Sequence, residues 1–176
     1  MNQKTFRLKN KSMIVIRDLS SDDLENALAF FSAIPESQRK YFRSDVIDKT
    51  HLKDRAKQSE SGKIIRRVAE MNGEIVGDTS LEIETESWKS SSAYLRMVVP
   101  EKQIGKGIQF AMAKDMYDIA HDKKLEKIAT KLMRPQKDLL EIYSNLGFKM
   151  EGVLSDHVHD QEGHEQDMIV MAAPLE

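Results

Sequence analysis

Two glycines flank a lysine in the stretch VVPEKQIGKGIQFAMAKDM, residues 98–116, between a β-branched run and a helix-like pattern. A glycine join between a strand and a helix can expose backbone N–H groups at the helix N-terminus, and such groups bind phosphate. The same join can be a plain turn. A P-loop is excluded, because one residue separates Gly105 from Gly107 and Ile108 follows them. A dinucleotide fingerprint is disfavoured, because Phe110 stands where its third glycine belongs.

The elements before this stretch follow from the spacing of apolar residues. Residues 13–19, MIVIRDL, predict a strand, and residues 24–34 predict a helix because their apolar side chains recur at helical steps. Residues 36–61 are charged and mostly helix-prone. Asn72-Gly73 joins two strand-like segments and predicts a tight hairpin, since this dipeptide tolerates positive φ angles.

The second half of the chain alternates between strands and helices. A third strand, after the two strands of the hairpin, is predicted at residues 92–99. A helix with one buried face is predicted to begin at Ile108. A strand at 127–133, a helix at 135–147 and two final strands follow. The order is strand, helix or helices, three strands, helix, strand, helix, two strands. It predicts one mixed α/β domain over residues 1–176.

Composition narrows the classes of function. The chain has 40% hydrophobic and 32% charged residues, which predicts a soluble globular protein, and its net charge of −2 argues against a broad basic surface for nucleic acid. The absence of cysteine excludes disulfides, thiolate zinc sites and a cysteine nucleophile, and is compatible with a cytoplasmic setting. The N-terminal residues contain no apolar segment long enough for a signal peptide or a membrane span, so we expect no membrane partner.

Three segments, in their order along the chain, resemble the GNAT superfamily of acetyl-CoA-dependent N-acetyltransferases. Residues 98–108 resemble its central motif, in which a strand ends, an Arg/Gln-x-x-Gly-x-Gly/Ala loop wraps the CoA pyrophosphate and a helix begins. IYSNLGF, residues 142–148, is similar to the family's Leu-Tyr-x-x-x-Gly-Phe segment, and the hairpin after Gly152 resembles the closing strand pair. The resemblance covers residues 64–173. It implies a mixed α+β fold with a mostly antiparallel central sheet, a splayed strand pair and flanking helices.

The resemblance implies an acetyl-CoA site along the central strand and the glycine loop. Backbone N–H groups of the loop would hold the pyrophosphate, and the main chain of the strand would lie along the pantetheine arm. The loop departs from the family pattern, because either Ile104 or Lys102 stands at the Arg/Gln position, depending on the register. The implied cofactor-binding residues are Met97, Val98, Val99, Gln103, Ile104, Gly105, Lys106, Gly107, Ile108, Gln109 and Gln136.

The implied reaction is acetyl transfer to a primary amine by direct attack in a ternary complex. By the family pattern Tyr143 is the general acid for the departing thiolate, although it also fits the apolar stripe of a core helix face. The family's usual glutamate is replaced by Tyr94, so Glu82 and Glu84 on the preceding strand are the candidate bases, and an exposed strand face explains them equally. A main-chain N–H at or near Val98 would polarise the thioester carbonyl.

A histidine-rich segment, DHVHDQEGHEQD, contains the ligand types of a metal site. Its histidines are His157, His159 and His164. The polar residues of an exposed hairpin explain this pattern more simply, and we expect no metal.

The acceptor amine is the part of the function that the sequence does not identify. The resemblance places its pocket between residues 30–60 and 152–166, and the acceptor is either a small molecule or a peptide or protein amine. Two other classes stay open: a non-catalytic acyl-CoA sensor, and a regulatory protein that has lost the cofactor. The edge strand of the final hairpin is compatible with a homodimer.

Overall fold

The fold is a sheet with helices on both faces, in the part of the chain that the computed structural model describes, residues 3–62, 64–86, 88 and 91–175. Its strands are β1 (Lys4–Arg7), β2 (Met13–Asp18), β3 (Ile65–Met71), β4 (Glu74–Ile83), β5 (Ser92–Val98), β6 (Lys127–Met133), β7 (Lys149–His159) and β8 (Glu165–Pro174). Its helices are α1 (Leu24–Ser32), α2 (Glu36–Arg39), α3 (Lys49–Glu60), α4 (Ile108–Asp122) and α5 (Lys137–Asn145). No helix in these ranges is both long and apolar enough to cross a membrane.

The strands form one sheet in the order β1-β2-β3-β4-β5-β6-β8-β7. Neighbouring strands are antiparallel except β5 and β6, which run parallel because the long connection through α4 carries the chain back to the same end of the sheet. The predicted hairpin is confirmed, and its turn residues Asn72 and Gly73 have φ angles of 55° and 82°. The mixed fold with a mostly antiparallel sheet is therefore confirmed.

The structure adds an edge strand, β1, that the sequence pattern does not indicate. Its four residues alternate between half-buried and exposed positions, a stretch too short and too charged to stand out by periodicity. Lys4 of this strand contacts Asp115 and Asp118 of α4 at 3.1 Å and 3.0 Å. The basic N-terminal segment thus joins the sheet edge to the helix that follows the glycine loop.

Two apolar cores lie on opposite faces of the sheet, because side chains alternate along each strand. On β5, Leu95 and Met97 face the core that contains α4, whereas Val98 contacts the core formed by α1 and α3. Helix α4 lies so close to β4 that a Cβ atom on Gly77 would be 2.5 Å from the Met112 Sδ atom. The glycine therefore permits the close packing of α4 on the sheet.

A buried ion pair also fixes α4 to the sheet. The Nε atom of Arg67, on β3, donates to Asp115 Oδ2 at 2.8 Å, and the two side chains are 1% and 0% exposed. Arg67 also donates to Asp18 at 2.7 Å. Loss of either partner would leave the other buried charge with only one remaining ion pair, Asp18 for Arg67 or Lys4 for Asp115, so this contact holds the middle of α4 against the strands.

Candidate active site

The parallel strands β5 and β6 separate shortly after they meet. Their pairing covers only residues 92–94 of β5 and 127–129 of β6. Beyond that point β5 stays paired with β4 as far as Val98, and β6 stays paired with β8 as far as Met133. Because each strand follows its other neighbour, a gap opens between them. The splayed strand pair that the sequence implied is confirmed.

A cleft of about 130 Å³ occupies this gap. Met97 and Val98 of β5 line one side, Thr130 of β6 lines another, and Tyr143 of α5 lines the cleft from beyond β6. A second depression, of about 150 Å³, shares Met97 and Val98 with the cleft and extends it towards Val99. The three residues predicted to contact the pantetheine arm therefore border two depressions that share lining residues.

Tyr143 presents a buried phenol to the cleft. Its side chain is 1% exposed, and its ring packs edge-on against Phe148 with 5.0 Å between ring centroids. Burial raises the pKa of the Tyr143 phenol to about 12, although polar interactions with Thr130 and the Met97 N–H oppose that rise. The Thr130 hydroxyl has no partner with hydrogen-bond geometry among the described residues, so its interaction with the phenol is weaker than an ordinary hydrogen bond.

The glycine loop leads from the end of β5 into α4. Gly105 and Gly107 have φ angles of 82° and 93°, in the left-handed region that glycine adopts most readily, and Gly107 directly precedes the first residue of α4. The first N–H groups of an α-helix have no acceptor within the helix. The N–H groups of residues 108–110 therefore have no acceptor within α4, and their binding of an anion stays a prediction.

The side chains of the loop have separate roles. Ile108 is buried in the core, so only its backbone is open to a ligand. Lys106 Nζ donates to Gln103 Oε1 at 2.9 Å, which ties the two predicted polar supports together. Ile104 and Gln109 border, with both glycines, a groove of about 730 Å³ between the loop and α5.

Gln136, at the start of α5, borders both depressions of the cleft. Its Oε1 atom accepts a hydrogen bond from the Met133 N–H at 2.8 Å. This bond closes the turn between β6 and α5, so Gln136 shapes the opening where the sequence placed a cofactor contact.

The two candidate bases lie outside the group of residues that line the cleft. Glu82, on β4, accepts a hydrogen bond from Arg96 at 2.6 Å, and Arg96 does line the cleft. Glu84 follows β4, and its backbone N–H donates to the Ser92 carbonyl at 3.0 Å. Glu82 therefore reaches the cleft through its arginine partner, whereas Glu84 has no such link among the described contacts.

Sequence reasoning missed a cluster of cations in the cleft. Its members are Arg43, Arg55, Arg66, Arg96 and Lys131. They come from a loop, α3, β3, β5 and β6, so nothing in their spacing along the chain relates them. The one available signal is alternation: Arg66 and Arg96 both pair with Ser80 in the sheet register and so share its face.

The final hairpin, formed by β7 and β8, contacts a loop that lines the cleft. Residues 41–44 line the cleft, and Gln161, at the β7–β8 turn, binds this loop at several points. Its backbone N–H donates to the Lys40 carbonyl at 2.8 Å, and its side-chain Nε2 donates to the Phe42 and Ser44 carbonyls at 3.2 Å and 2.9 Å. The two regions expected to form the acceptor pocket are therefore in contact.

The same hairpin contains a small group of potential metal ligands. Atoms of Asp160, Glu162 and His164 lie within 4.8 Å of one another. Asp160 already accepts hydrogen bonds from the N–H groups of Glu162 and His164, at 3.0 Å and 2.9 Å, and these bonds organise the turn. They also lower the pKa of Asp160, against the effect of burial. The turn explains this cluster without an ion, and the absence of a metal stays a prediction.

The sequence matches a protein family, described as the acetyltransferase (GNAT) domain, over residues 7–170. No curated protein matches the chain.

The fold is shared with solved structures of low sequence identity. The ribosomal-protein-S5-alanine acetyltransferase of Vibrio fischeri has a TM-score of 0.81 and 16% identity, covering 98% of this chain and 97% of that one. RimJ of Mycobacterium smegmatis, in complex with CoA-disulfide, has a TM-score of 0.81 and 16% identity, covering 98% and 87%. The ribosomal-protein-alanine N-acetyltransferase of Brucella melitensis has a TM-score of 0.77 and 19% identity, covering 91% and 99%.

Proposed function

Because this chain belongs to the GNAT acetyltransferase family, and is an acyltransferase by class, we propose that it moves an acetyl group from acetyl-CoA to a primary amine by direct attack in a ternary complex. The observation that carries the proposal is the buried Tyr143 phenol beside the gap between β5 and β6. A protonated phenol at the point where two strands separate suits the release of a thiolate from a ligand lying in that gap.

The residues around the gap fit acetyl-CoA. The main chain of Met97, Val98 and Val99 pairs with the pantetheine arm in place of a neighbouring strand. The N–H groups between Gly105 and Gln109 bind the pyrophosphate, with Gln103, Lys106 and Gln136 as polar support. The unpartnered Thr130 hydroxyl, buried in the cleft, supports this fit because a ligand there would give it a hydrogen-bond partner.

The residues of the cleft then assist each step of the transfer. A backbone N–H at or near Val98 polarises the thioester carbonyl, and the amine nitrogen bonds to the carbonyl carbon. As the carbon–sulfur bond breaks, Tyr143 donates its proton to the sulfur. Its pKa of about 12 keeps this proton in place over the physiological range.

The amine must also lose a proton. Glu82 is the better placed of the two candidate bases, because its contact with Arg96 brings it to the edge of the cleft. A water between the amine and Glu82 would carry the proton, since Glu82 does not line the cleft itself. Glu84 would act only from a greater distance.

Two measurements test the proposal. Acetyl-CoA should raise the melting temperature, since a ligand that binds only the folded state stabilises it. A thiol-release assay over amines, polyamines, amino acids and peptides should then identify an acceptor. Stabilisation without thiol release from any amine would identify a sensor, and the absence of stabilisation would identify a protein that does not bind the cofactor.

A further inference from the structure

Cationic side chains outnumber carboxylates in the lining of the cleft. Five cationic side chains line it, whereas Asp78 is the single carboxylate among the described residues that do so. The cations are Arg43, Arg55, Arg66, Arg96 and Lys131. The chain as a whole has a net charge of −2, so this excess is a local feature of the cleft.

Two of the cations have carboxylate partners. Arg55 donates to Asp78 at 2.6 Å, and Arg96 donates to Glu82 at 2.6 Å. Arg66 is only 5% exposed, yet its hydrogen-bond acceptor is the neutral amide of Gln58, at 3.1 Å. A guanidinium buried without a carboxylate of its own is costly, because burial removes its hydration and no paired charge replaces it.

The remaining two cations are equally free of carboxylates. Arg43 and Lys131 form no ion pair within 4.0 Å in the described part of the chain, and Lys131 instead lies over the Tyr94 ring at 4.1 Å from its centroid. The positive charge of the cleft therefore exceeds what the protein's own acids balance.

Several arginines of the cleft also have hydrogen-bond donors without an acceptor. The buried Nε atoms of Arg55, Arg66 and Arg96 have no hydrogen-bond partner among the described residues. A buried donor left unsatisfied is destabilising, because it has lost its hydrogen bond to water and gained none in return. Burial and the nearby Arg55 also lower the pKa of Arg66 to about 10, because both disfavour its charged form.

The sheet register creates a space between two of these arginines. Arg66 and Arg96 stand on either side of Ser80 in one row of three strands, so their Cα atoms are roughly 10 Å apart. The small serine leaves the space above it open, and Ser80 lines the cleft. Two guanidinium groups that line the same cleft on either side of a small polar residue suit a carboxylate, which accepts paired N–H donors in one plane.

We propose that the acceptor is a small amine that also bears a carboxylate, and that Arg66 and Arg96, with Arg43 nearer the surface, bind this carboxylate over Ser80. This inference rests on the proposed function. The cleft is small, about 130 Å³, and it must also admit the acetyl end of the cofactor, so it suits a small acceptor. Arg96 is next to Met97 in sequence, so a bound carboxylate places the amine near the thioester.

The same charges assist the chemistry. Nearby positive charge disfavours the protonated form of an amine and lowers its pKa. A cationic cleft therefore helps to supply the neutral nucleophile, which is consistent with a base that acts from the edge of the site.

The first test compares free amino acids with their amides in the thiol-release assay. Glutamate, aspartate, glycine and β-alanine should be acetylated with a kcat/KM about tenfold or more above that of the matching amides, since hydrogen bonds to charged groups carry this much affinity. The amides have less basic amines, so intrinsic reactivity works against the expected result. Equal or better use of the amides, or of short peptides, would overturn the inference while leaving the acetyltransferase function intact.

Variants locate the carboxylate site. Arg66→Gln should raise KM for the best amino acid about tenfold or more and remove the preference over its amide, without changing the melting-temperature shift given by acetyl-CoA. Arg43→Gln, at an exposed residue, should act in the same direction with no effect on folding. Lys49→Gln removes the same charge from the first residue of α3, which does not line the cleft, and should change neither KM nor the preference for the acid. An equal loss towards acids and amides would instead indicate a purely structural role.

A binding measurement decides the question even if no amine releases thiol. Calorimetry with saturating CoA should show that N-acetylglycine binds more tightly than N-acetylglycinamide, and that Arg43→Gln and Arg66→Gln reduce this difference. Failure of the proposed function alone would appear as this binding preference without turnover. Equal binding of the two compounds would refute the carboxylate site.

Discussion

The side chain of Tyr143 both packs in the core and presents a hydroxyl to the cleft. The ring packs against Phe148, as the apolar stripe of the helix predicts, while the hydroxyl faces Thr130 and the Met97 N–H. The two interpretations that the sequence left open are therefore compatible in space. Burial of the ring is confirmed, and the role of the hydroxyl stays a prediction that removal of one oxygen atom can test.

Tyr143→Phe should lower kcat by about 100-fold or more, because a positioned general acid contributes at least that much. The stabilisation by acetyl-CoA should not change, since the ring and its packing remain. The matched control is Tyr117→Phe, whose half-buried hydroxyl contacts the Leu146 carbonyl at 3.4 Å and does not line the cleft. A Tyr143→Phe enzyme as fast as the wild type would remove Tyr143 from the mechanism.

The pKa of Tyr143 also predicts the pH profile. Because burial raises this pKa to about 12, the phenol keeps its proton well above the ordinary tyrosine value near 10. The rate should rise with pH as the acceptor amine loses its proton, and should not fall as pH passes through about 10. Steady-state rates between pH 7 and about 10.5, with circular dichroism to verify folding, would check this. A decline centred near pH 10 would indicate a general acid of ordinary pKa.

At the level of elements, the sequence identifies most strands and helices but not the place where two strands separate. The glycines and the amphipathic pattern after them predict the start of α4 correctly, because both signals are local. The gap between β5 and β6 depends on where the pairing of residues 92–94 with 127–129 stops, and that depends on what each strand pairs with on its other side. The resemblance to the GNAT family predicted this gap, whereas no local pattern of residues in either strand does.

Gly107→Asp should abolish the melting-temperature shift given by acetyl-CoA. The φ angle of 93° strains any side chain there, and a carboxylate at the first turn of α4 would repel the pyrophosphate. The matched control is Gly62→Asp, because Gly62 has a φ angle of 73°, open space around it and no place in the cleft. Both variants should lose about 1 kcal/mol of unfolding free energy, but only Gly107→Asp should lose the ligand. Intact CoA binding in Gly107→Asp would contradict the role given to the loop.

At the scale of the whole molecule, the cleft is assembled from segments far apart in the chain. Arg43 and Arg96 come together only after the sheet and its loops have formed, so neither spacing nor the overall charge of −2 reveals them. A net charge averages over every surface, and here it conceals a cationic cleft in a slightly acidic protein. Partial loss of hydration and the nearby charge of Arg96 lower the pKa of Arg43, although its side chain remains exposed at the surface.

The final hairpin and the loop over the cleft are joined across about 120 residues of sequence, and this contact can be tested separately from the chemistry. Gln161→Ala removes the side-chain bonds to the Phe42 and Ser44 carbonyls but keeps the backbone bond to Lys40. The loop should become more mobile, so KM for the acceptor should rise by about threefold to tenfold, in line with the loss of one or two hydrogen bonds.

The stabilisation by acetyl-CoA should not change in Gln161→Ala, because the glycines border a separate groove and Gln161 makes no contact with them among the described hydrogen bonds. Glu165→Gln, an exposed residue of the same hairpin, is the control and should leave KM unaltered. Steady-state kinetics at saturating acetyl-CoA, together with hydrogen exchange of residues 40–44, would measure both effects. Faster exchange with an unchanged KM would show that the loop does not contact the acceptor, and would confine acceptor recognition to the cationic side chains on the sheet.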